Sequence, residues 1–233
     1  MCGRYDLDTN NNQLALHFDL NELTLEQVTY DMATFPKYNI PPTTSVLTVI
    51  SDGSINHPRN MSWGLVPFWI KNMSDRAKMI NARAETITER PSYKNIFRGQ
   101  RCLIPATGFF EWKRNSDKSK QPFRITLESE ELFAFAGIWD HVTPKNFPET
   151  GPVTSCSIIT TSCNRLMKPI HDRMPVILPR DRYADWLNPH NDNIEDLQDM
   201  LRPFDSDLMS SYKVSNLVNS SKNTTSEVLK PLE

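Results

Sequence analysis

The hydrophobic residues of this chain fall mainly in short runs with the length and composition of β-strands. Val, Ile, Phe and Thr are frequent in these runs, and Gly, Pro or Asp residues separate them. Asp52-Gly53 is typical of a hairpin turn between two strands. The pattern predicts strands over residues 45–50, 101–104, 123–127, 132–139, 156–161 and 212–214.

A second pattern predicts a few helices. Leu14 and Phe18 lie four positions apart, so residues 13–18 are expected to form a helix with one apolar face, capped by Asp8 or Thr9. Shorter helices are predicted between Ser162 and Pro169 and over residues 180–187 and 194–201.

The predicted strands and helices do not alternate regularly, which argues against a doubly wound parallel sheet. We therefore expect one α+β domain over residues 1–233, with a mainly antiparallel, barrel-like β core and peripheral helices. The core is expected to span residues 2–219. Residues 220–233 are rich in Ser, Asn and Thr, and we expect this tail to fray.

The number and distribution of charged residues limit the classes of function that the chain can have. The 26 basic and 28 acidic residues give a net charge of −2, which argues against a globally basic nucleic-acid binder. Residues 71–124, however, hold thirteen Lys and Arg against five Asp and Glu. We call these residues the basic window, and they predict a local basic face suited to a short polyanion.

Composition also bears on location and partners. No apolar run approaches the roughly 20 residues of a membrane span, and no secretory signal precedes the first strand. The four cysteines show no zinc-ligand spacing. We expect a cytoplasmic monomer (nucleoid-associated, or nuclear in a eukaryote) with free thiols and with no membrane partner, metal or cofactor.

The chain begins Met1-Cys2-Gly3-Arg4, and removal of Met1 would leave Cys2 with a free α-amine beside its thiol. The amine of such a 1,2-aminothiol forms a Schiff base with an aldehyde, and the thiol then closes a five-membered thiazolidine ring. An α-amine titrates at about pH 7.7–8.0, so roughly a tenth of it is nucleophilic at pH 7. Cys2 is therefore a candidate for covalent capture of an aldehyde.

Three further stretches combine polar side chains in ways that suit catalysis. Asn81 and Arg83 are two positions apart, hence on one side of an extended chain, where the amide can hold an oxygen or amine and the guanidinium a phosphate. Glu111 lies among aromatic neighbours, where desolvation would suit its carboxyl to proton transfer near neutral pH. His171, between two prolines and beside an acidic and a basic residue, can exchange a proton near pH 7.

Seven short motifs, taken together and in order, resemble the SOS-response-associated peptidase (SRAP) family. The resemblance runs from Cys2 to about Asn219, nearly the whole chain. The motifs lie at residues 1–4, 38–42, 63–69, 81–86, 101–105, 108–112 and 170–175, and residues 214–219 resemble the family's closing motif.

The resemblance implies a barrel-like α+β domain with a positively charged cleft and covalent capture of abasic sites in single-stranded DNA. It implies that Cys2, after autoproteolytic loss of Met1, forms a thiazolidine with the C1′ aldehyde of the ring-opened deoxyribose. Asn81 would position the amine and sugar, and Glu111 would move protons during ring formation. His171 would help to open the sugar and to reverse the link.

The resemblance also implies the residues that contact DNA. Those that would hold phosphates are Arg4, Arg83 and Arg173. Those that would line the bend where the abasic nucleotide is presented are Asn39, Pro42, Trp69 and Trp112. One departure concerns how the chain blocks the strand beyond the lesion, because family members can carry two tryptophans where this chain has Phe68, Trp69 and Ile70.

The residues alone leave two other functions open. One is a thiol peptidase or N-terminal-nucleophile hydrolase, in which Cys2 attacks a carbonyl with His171 or Glu111 as the base. The other is a non-covalent single-strand binder that uses the basic window and the tryptophans and leaves no covalent product.

Overall fold

The computed structural model describes residues 2–30, 35–129 and 132–232. The strands are β1 Tyr5–Leu7, β2 Lys37–Ile40, β3 Ser45–Ser51, β4 Asn56–Trp63, β5 Asn81–Arg83, β6 Arg101–Ala106, β7 Gly108–Arg114, β8 Lys120–Leu127, β9 Phe133–Val142, β10 Val153–Ser162, β11 Arg173–Pro175, β12 Ile177–Leu178 and β13 Met209–Lys213.

The α-helices are α1 Asn11–Phe18, α2 Glu22–Tyr30, α3 Tyr183–Leu187 and α4 Ile194–Asp199. Short 3₁₀ helices cover Met73–Lys78, Ala84–Thr86, Ile96–Arg98, Pro148–Thr150, Arg180–Arg182, Ser206–Leu208, Asn216–Asn219 and Ser226–Leu229. Within the described ranges, none of the helices has the length and apolar character that crossing a membrane requires.

Five strands close into a barrel. β10, β4, β3, β6 and β9 pair in that order, and β9 pairs back with β10 to complete the ring. All of these pairings are antiparallel except β10 with β4. The predicted α+β fold with a mainly antiparallel, barrel-like core is therefore confirmed.

A second sheet carries the start of the chain, in the order β13-β8-β7-β1-β2. β1 is paired on both sides, antiparallel to β7 and to β2. Tyr5 of β1 is buried, and its ring packs edge-on against Trp63 at 5.4 Å and Phe135 at 5.8 Å between ring centres. Since Trp63 and Phe135 belong to the barrel, β1 joins the second sheet to the barrel wall.

The predicted strands are confirmed to within a few residues at each end. The helix at residues 13–18 is also confirmed, but its cap is Asn10 rather than Asp8 or Thr9. The Asn10 side chain accepts a hydrogen bond from the Gln13 backbone N–H, and the Gln13 side chain accepts one from the Asn10 N–H. This reciprocal capping box satisfies two backbone donors that the helix cannot satisfy itself.

The helix predicted after Ser162 is wrong. Ser162 is the last residue of β10 and pairs with Arg173 of β11, and residues 165–170 form turns. The chain must reverse within about ten residues here so that β11 can pair with β10, and turns achieve this reversal where a helix would carry the chain away.

The segment after β13 packs on the outer face of the second sheet, and the fraying of residues 220–233 stays a prediction. Val214, Val218 and Val228 are fully buried together with Phe110. The backbone N–H of Leu232 donates to the carbonyl of Lys213 at 2.9 Å. Three valines within a polar segment were the sequence signal for this packing.

A buried ion pair anchors β1. The carboxylate of Asp6, which is 0% exposed, accepts hydrogen bonds from Arg124 Nη2 at 2.7 Å and from the Thr107 hydroxyl at 2.6 Å. Burial alone would lower the pKa of Arg124, but the hydrogen bonds and charge of Asp6 outweigh it and raise that pKa.

Gly108 leaves room for the pair, because a Cβ there would lie 2.8 Å from both Arg124 Nε and Asp6 Oδ2. Arg124 Nη1 also donates to the Tyr212 hydroxyl at 2.7 Å.

Replacing Arg124 with Met should strongly destabilise the fold, because it leaves the buried Asp6 carboxylate without its cation. Breaking a buried ion pair in this way costs about 3–5 kcal/mol. Urea unfolding monitored by circular dichroism measures the loss. Arg165→Met is the matched control, since Arg165 pairs with Asp207 on the surface and its loss should change stability little. Equal losses in the two variants would contradict the assigned role of the pair.

Candidate active site

Cys2 lies directly before β1 and is fully buried. Its carbonyl accepts a hydrogen bond from Asn81 Nδ2 at 2.9 Å, and its Sγ lies 4.0 Å from the carbonyl oxygen of Arg4. Burial, and after it the charge of Glu111, raises the pKa of the thiol well above its usual range. Cys2 is therefore held as a neutral thiol. Met1 lies outside the described residues, so its removal stays a prediction.

Asn81 starts β5 and is held there by parallel pairing with Ile158 of β10. Its Nδ2 is committed to the Cys2 carbonyl, which determines which way the amide faces. Its Oδ1 is buried and has no hydrogen-bond partner among the described residues. Asn81 thus presents an acceptor next to Cys2 that a bound amine or hydroxyl would satisfy.

Glu111 lies on β7 beside the start of β1. The pairing places Tyr5 opposite Phe109, and the register continued by two residues places Gly3 opposite Glu111. Glu111 is 3% exposed, and its charge acts on the Cys2 thiol. The structure therefore brings together Cys2, Asn81 and Glu111, which lie far apart in the sequence.

The aromatic neighbours of Glu111 in the sequence do not surround its side chain. Phe109 faces the barrel, where it packs against Phe135, and Glu111, two residues on, faces the same side because strand side chains alternate. Phe110 and Trp112 face the outer side, with the C-terminal valines. Of the three aromatic neighbours, Phe109 therefore shares the face of Glu111, and that face, towards the barrel, is the side on which Glu111 is buried.

His171 lies at the end of the turn between β10 and β11. Its Nδ1 accepts a hydrogen bond from the backbone N–H of Arg173 at 3.0 Å, which places the proton of the neutral ring on Nε2. The same Nδ1 lies 3.0 Å from a carboxylate oxygen of Asp172. These two contacts hold the imidazole ring of His171 through Nδ1.

The side chains of Arg4 and Asn39 are hydrogen-bonded to each other. Arg4 Nη1 donates to Asn39 Oδ1 at 2.8 Å and to the carbonyl of Val218 at 2.9 Å. Burial lowers the pKa of Arg4, and its Nε is buried with no hydrogen-bond partner in the described part of the chain. One edge of this guanidinium is therefore occupied by protein, and its Nε has no protein acceptor.

Arg83 and Arg173 flank the same stretch of β10. Arg83 is exposed and pairs in register with Thr160. Arg173 donates to both carboxylate oxygens of Glu85, at 2.5 and 3.0 Å, and to the carbonyl of Thr160 at 2.6 Å. Its charge is thus largely compensated by Glu85, whereas within this pair Arg83 offers the more accessible cation for a phosphate.

The residues predicted to line the bend differ in exposure. Trp69 is 52% exposed and adjoins the exposed Phe68 in the loop after β4. Pro42 is half-buried in the turn after β2. Trp112 is half-buried, and its indole N–H donates to Asn219 Oδ1 at 2.7 Å. Of these residues, Trp69 exposes the largest share of its surface, and the contact of all of them with DNA stays a prediction.

Two arginines of the basic window do not contribute to a surface charge. Arg124 is paired with Asp6. Arg101 is 3% exposed and donates to backbone carbonyls, including those of Trp186 at 2.7 Å and Phe97 at 2.9 Å. Burial lowers the pKa of Arg101 to about 10. Both arginines stabilise the fold, a role that counting charges along the sequence could not detect.

Three predicted site residues have a buried polar atom without a hydrogen-bond partner within the described ranges. Arg4 Nε, Asn81 Oδ1 and Arg173 Nε are all buried and lack hydrogen-bond partners among the residues described. Buried polar atoms of folded proteins are nearly always paired. All three residues were predicted from the sequence to belong to the site, and two further buried atoms without a partner in the described part of the chain, His17 Nε2 and Asn60 Oδ1, lie elsewhere. The described residues contain no cluster of three His, Cys, Asp or Glu side chains able to hold a metal.

The profile of the family described as SOS response associated peptidase (SRAP) matches residues 1–221. The chain belongs to the SRAP family. The resemblance drawn from the seven motifs is thereby confirmed.

Relatives of this SRAP protein occur in bacteria and vertebrates. The abasic site processing protein YoqW of Bacillus subtilis is 44% identical, over 98% of this chain and 99% of its own. The abasic site processing protein HMCES of Xenopus tropicalis is 32% identical, over 83% of this chain and 65% of its own. A crystal structure of a Bacteroides thetaiotaomicron protein has a TM-score of 0.85 at 28% identity, covering 99% of this chain and 100% of that one.

Replacing Glu111 with Gln should lower the pKa of the Cys2 thiol, because the carboxylate charge disfavours the thiolate. Iodoacetamide should therefore label Cys2 faster in the variant at each pH of a series over which the protein stays folded, as measured by peptide mass spectrometry. Cys156, whose pKa burial raises to about 12, should label as it does in the wild type. An unchanged Cys2 profile would show that Glu111 does not act on the thiol.

Proposed function

We propose that this protein captures abasic sites in single-stranded DNA by forming a covalent bond through Cys2. The observation that supports the proposal most directly is the environment of Cys2. Asn81 donates a hydrogen bond to its carbonyl, and burial together with the charge of Glu111 raises the pKa of its thiol. The names of the relatives YoqW and HMCES, both abasic site processing proteins, support the same substrate.

The proposed chemistry uses both functional groups of Cys2. After Met1 is lost, the α-amine adds to the C1′ aldehyde of the ring-opened deoxyribose, and the carbinolamine loses water to give a Schiff base. The thiol then adds to the imine carbon and its proton passes to the nitrogen, which closes the thiazolidine. One C–N and one C–S bond form, and one water leaves. A missing base leaves space for a protein N-terminus to reach C1′.

Three side chains assist these steps. Asn81 Oδ1, the buried acceptor beside Cys2, receives a hydrogen bond from the α-amine or from a sugar hydroxyl. Glu111 accepts the proton that the ammonium must lose and returns it to the departing hydroxyl. His171 promotes opening of the sugar ring and reversal of the link, and its Nδ1 contacts with the Arg173 N–H and the Asp172 carboxylate hold the ring in place.

The proposed DNA contacts combine cations with aromatic surface. Arg4, Arg83 and Arg173 bind phosphates through their guanidinium groups, and Arg83 is the exposed cation of the three. The residues that line the path of the bent DNA strand are Asn39, Pro42, Trp69 and Trp112. Among these, the exposed indole of Trp69 suits stacking on a base next to the lesion.

The protonation state of the Cys2 thiol opposes the peptidase alternative. A thiol peptidase attacks with a thiolate, whereas burial and Glu111 both raise the pKa of this thiol. Thiazolidine formation starts from the amine, and the sulfur bonds only after the imine is present. A non-covalent binder, in turn, gives no reason for a buried Cys2 between Asn81 and Glu111.

Mixing the protein with an abasic oligonucleotide should give one covalent adduct whose intact mass is that of protein lacking Met1 plus DNA minus one water. Cys2→Ala should abolish the adduct, and Cys2→Ser should not form the sulfur ring. Cys163→Ser is the control, because Cys163 is the half-exposed thiol outside the site. A variant with one residue inserted between Met1 and Cys2 should also fail, since its thiol no longer adjoins the α-amine.

Two outcomes would overturn the proposal. One is a wild-type protein that binds abasic and intact strands alike without any covalent product. The other is full adduct formation by a protein that retains Met1, because the α-amine of Cys2 would then be blocked.

Glu111→Gln and His171→Gln should slow cross-linking while leaving DNA affinity close to that of the wild type. General acid–base assistance typically contributes about 10²- to 10⁴-fold in rate. We expect Glu111→Gln to slow Schiff-base formation most and His171→Gln to affect sugar opening and reversal. Quenched-flow rates of adduct formation between pH 6 and 8, with anisotropy for binding, test this. Wild-type rates in both variants across that range would show that Cys2 acts with the bound sugar alone.

A further inference from the structure

The 3₁₀ helix Asn216–Asn219 and the turn that follows it lie against three residues of the proposed site. We call residues 216–223 the C-terminal clamp. Asn39 Nδ2 donates to the clamp carbonyls of Ser220 at 3.0 Å and Asn223 at 2.8 Å, while Arg4 Nη1 donates to that of Val218 at 2.9 Å. The clamp therefore determines where the guanidinium of Arg4 points.

The clamp also orients the indole of Trp112. Asn219 Oδ1 accepts the Trp112 indole N–H at 2.7 Å. Trp112 lies near the end of β7, one residue beyond Glu111, and is half-buried against the C-terminal apolar cluster. A half-buried indole without this bond would be free to rotate about its side-chain torsions.

Internal hydrogen bonds make the clamp stiff enough to position other groups. Asn223 Nδ2 donates to the carbonyl of Leu217 at 2.7 Å, and the Ser215 hydroxyl accepts from the Leu217 N–H at 3.2 Å. Val218 is fully buried between them in the chain. The valines alone account for the docking of the segment, so its polar contacts with the site call for a separate explanation.

We propose that the C-terminal clamp is a positioning element of the DNA-capture site, with Asn219 as the positioning residue of Trp112. The clamp holds Arg4, Asn39 and Trp112 in the arrangement that receives a single strand. This inference rests on the proposed function, because it assigns the clamp a role in binding the strand and none in the covalent steps.

The test is a double-mutant cycle. For each protein, the rate of cross-linking is measured as a function of the concentration of abasic oligonucleotide. The proteins are wild type, Asn219→Ala, Trp112→Phe, which lacks the indole N–H, and the double variant. Asn219→Ala should raise the DNA concentration for half-maximal rate roughly fivefold, the equivalent of one neutral hydrogen bond, and leave the maximal rate unchanged. In the Trp112→Phe background, Asn219→Ala should have no further effect.

Controls separate positioning from general stability. Asn115→Ala removes a comparable exposed hydrogen bond, from Asn115 Nδ2 to the Ser119 hydroxyl at 2.9 Å, far along the chain from the clamp, and should not change the half-saturating concentration. Thermal unfolding of all variants runs alongside. Because Asn219 is exposed, its replacement should leave the folded state intact.

The outcomes distinguish this inference from the function on which it rests. A wild-type half-saturating concentration in Asn219→Ala, or the same fold-change in both backgrounds, would overturn the role of Asn219 while cross-linking by the wild type upholds the proposed function. A wild type that forms no adduct would overturn the proposed function, and the clamp's role with it.

Discussion

The antiparallel pairing of β1 on both its edges is the constraint on which the site depends. Chain termini commonly fray, but here β7 and β2 hold β1 from either side and the buried Asp6–Arg124 pair anchors its middle. Tyr5 adds the aromatic contact with the barrel. Cys2 lies three residues before the first residue of this anchored strand. The strand therefore restricts the position of Cys2.

This anchoring accounts for the full burial of a cysteine at the second position of the chain. Burial keeps the thiol protonated and shields it from adventitious alkylation and oxidation, which follow thiolate character and exposure. The same burial requires that polar partners be supplied locally, and Asn81 and Glu111 supply them. A ligand that brings its own aldehyde to Cys2 would find the acceptor Oδ1 of Asn81 still available.

The two faces of the second sheet carry side chains with different proposed roles. Glu111 faces the barrel side with Phe109, while Trp112 and Arg4 lie on the outer side with the C-terminal clamp. Of the proposed site residues on or beside this sheet, Glu111 therefore lies on its inner side, and Trp112 and Arg4 lie on its outer side. The period of two along β7 produces this division within adjacent residues.

Sequence by itself determined the strands, the α+β class, the family and the identity of the candidate residues, because short-range patterning and ordered motifs are local properties. Tertiary structure alone decided that Asn81 and Glu111 meet at Cys2, since that proximity arises from pairing between distant strands. It also decided which charges are accessible: Arg101 and Arg124 are buried and Arg173 is paired with Glu85. Within the Asn- and Ser-rich tail, Val228 is buried. Such outcomes depend on which partners burial brings together, and nothing in the spacing of residues along the chain records them.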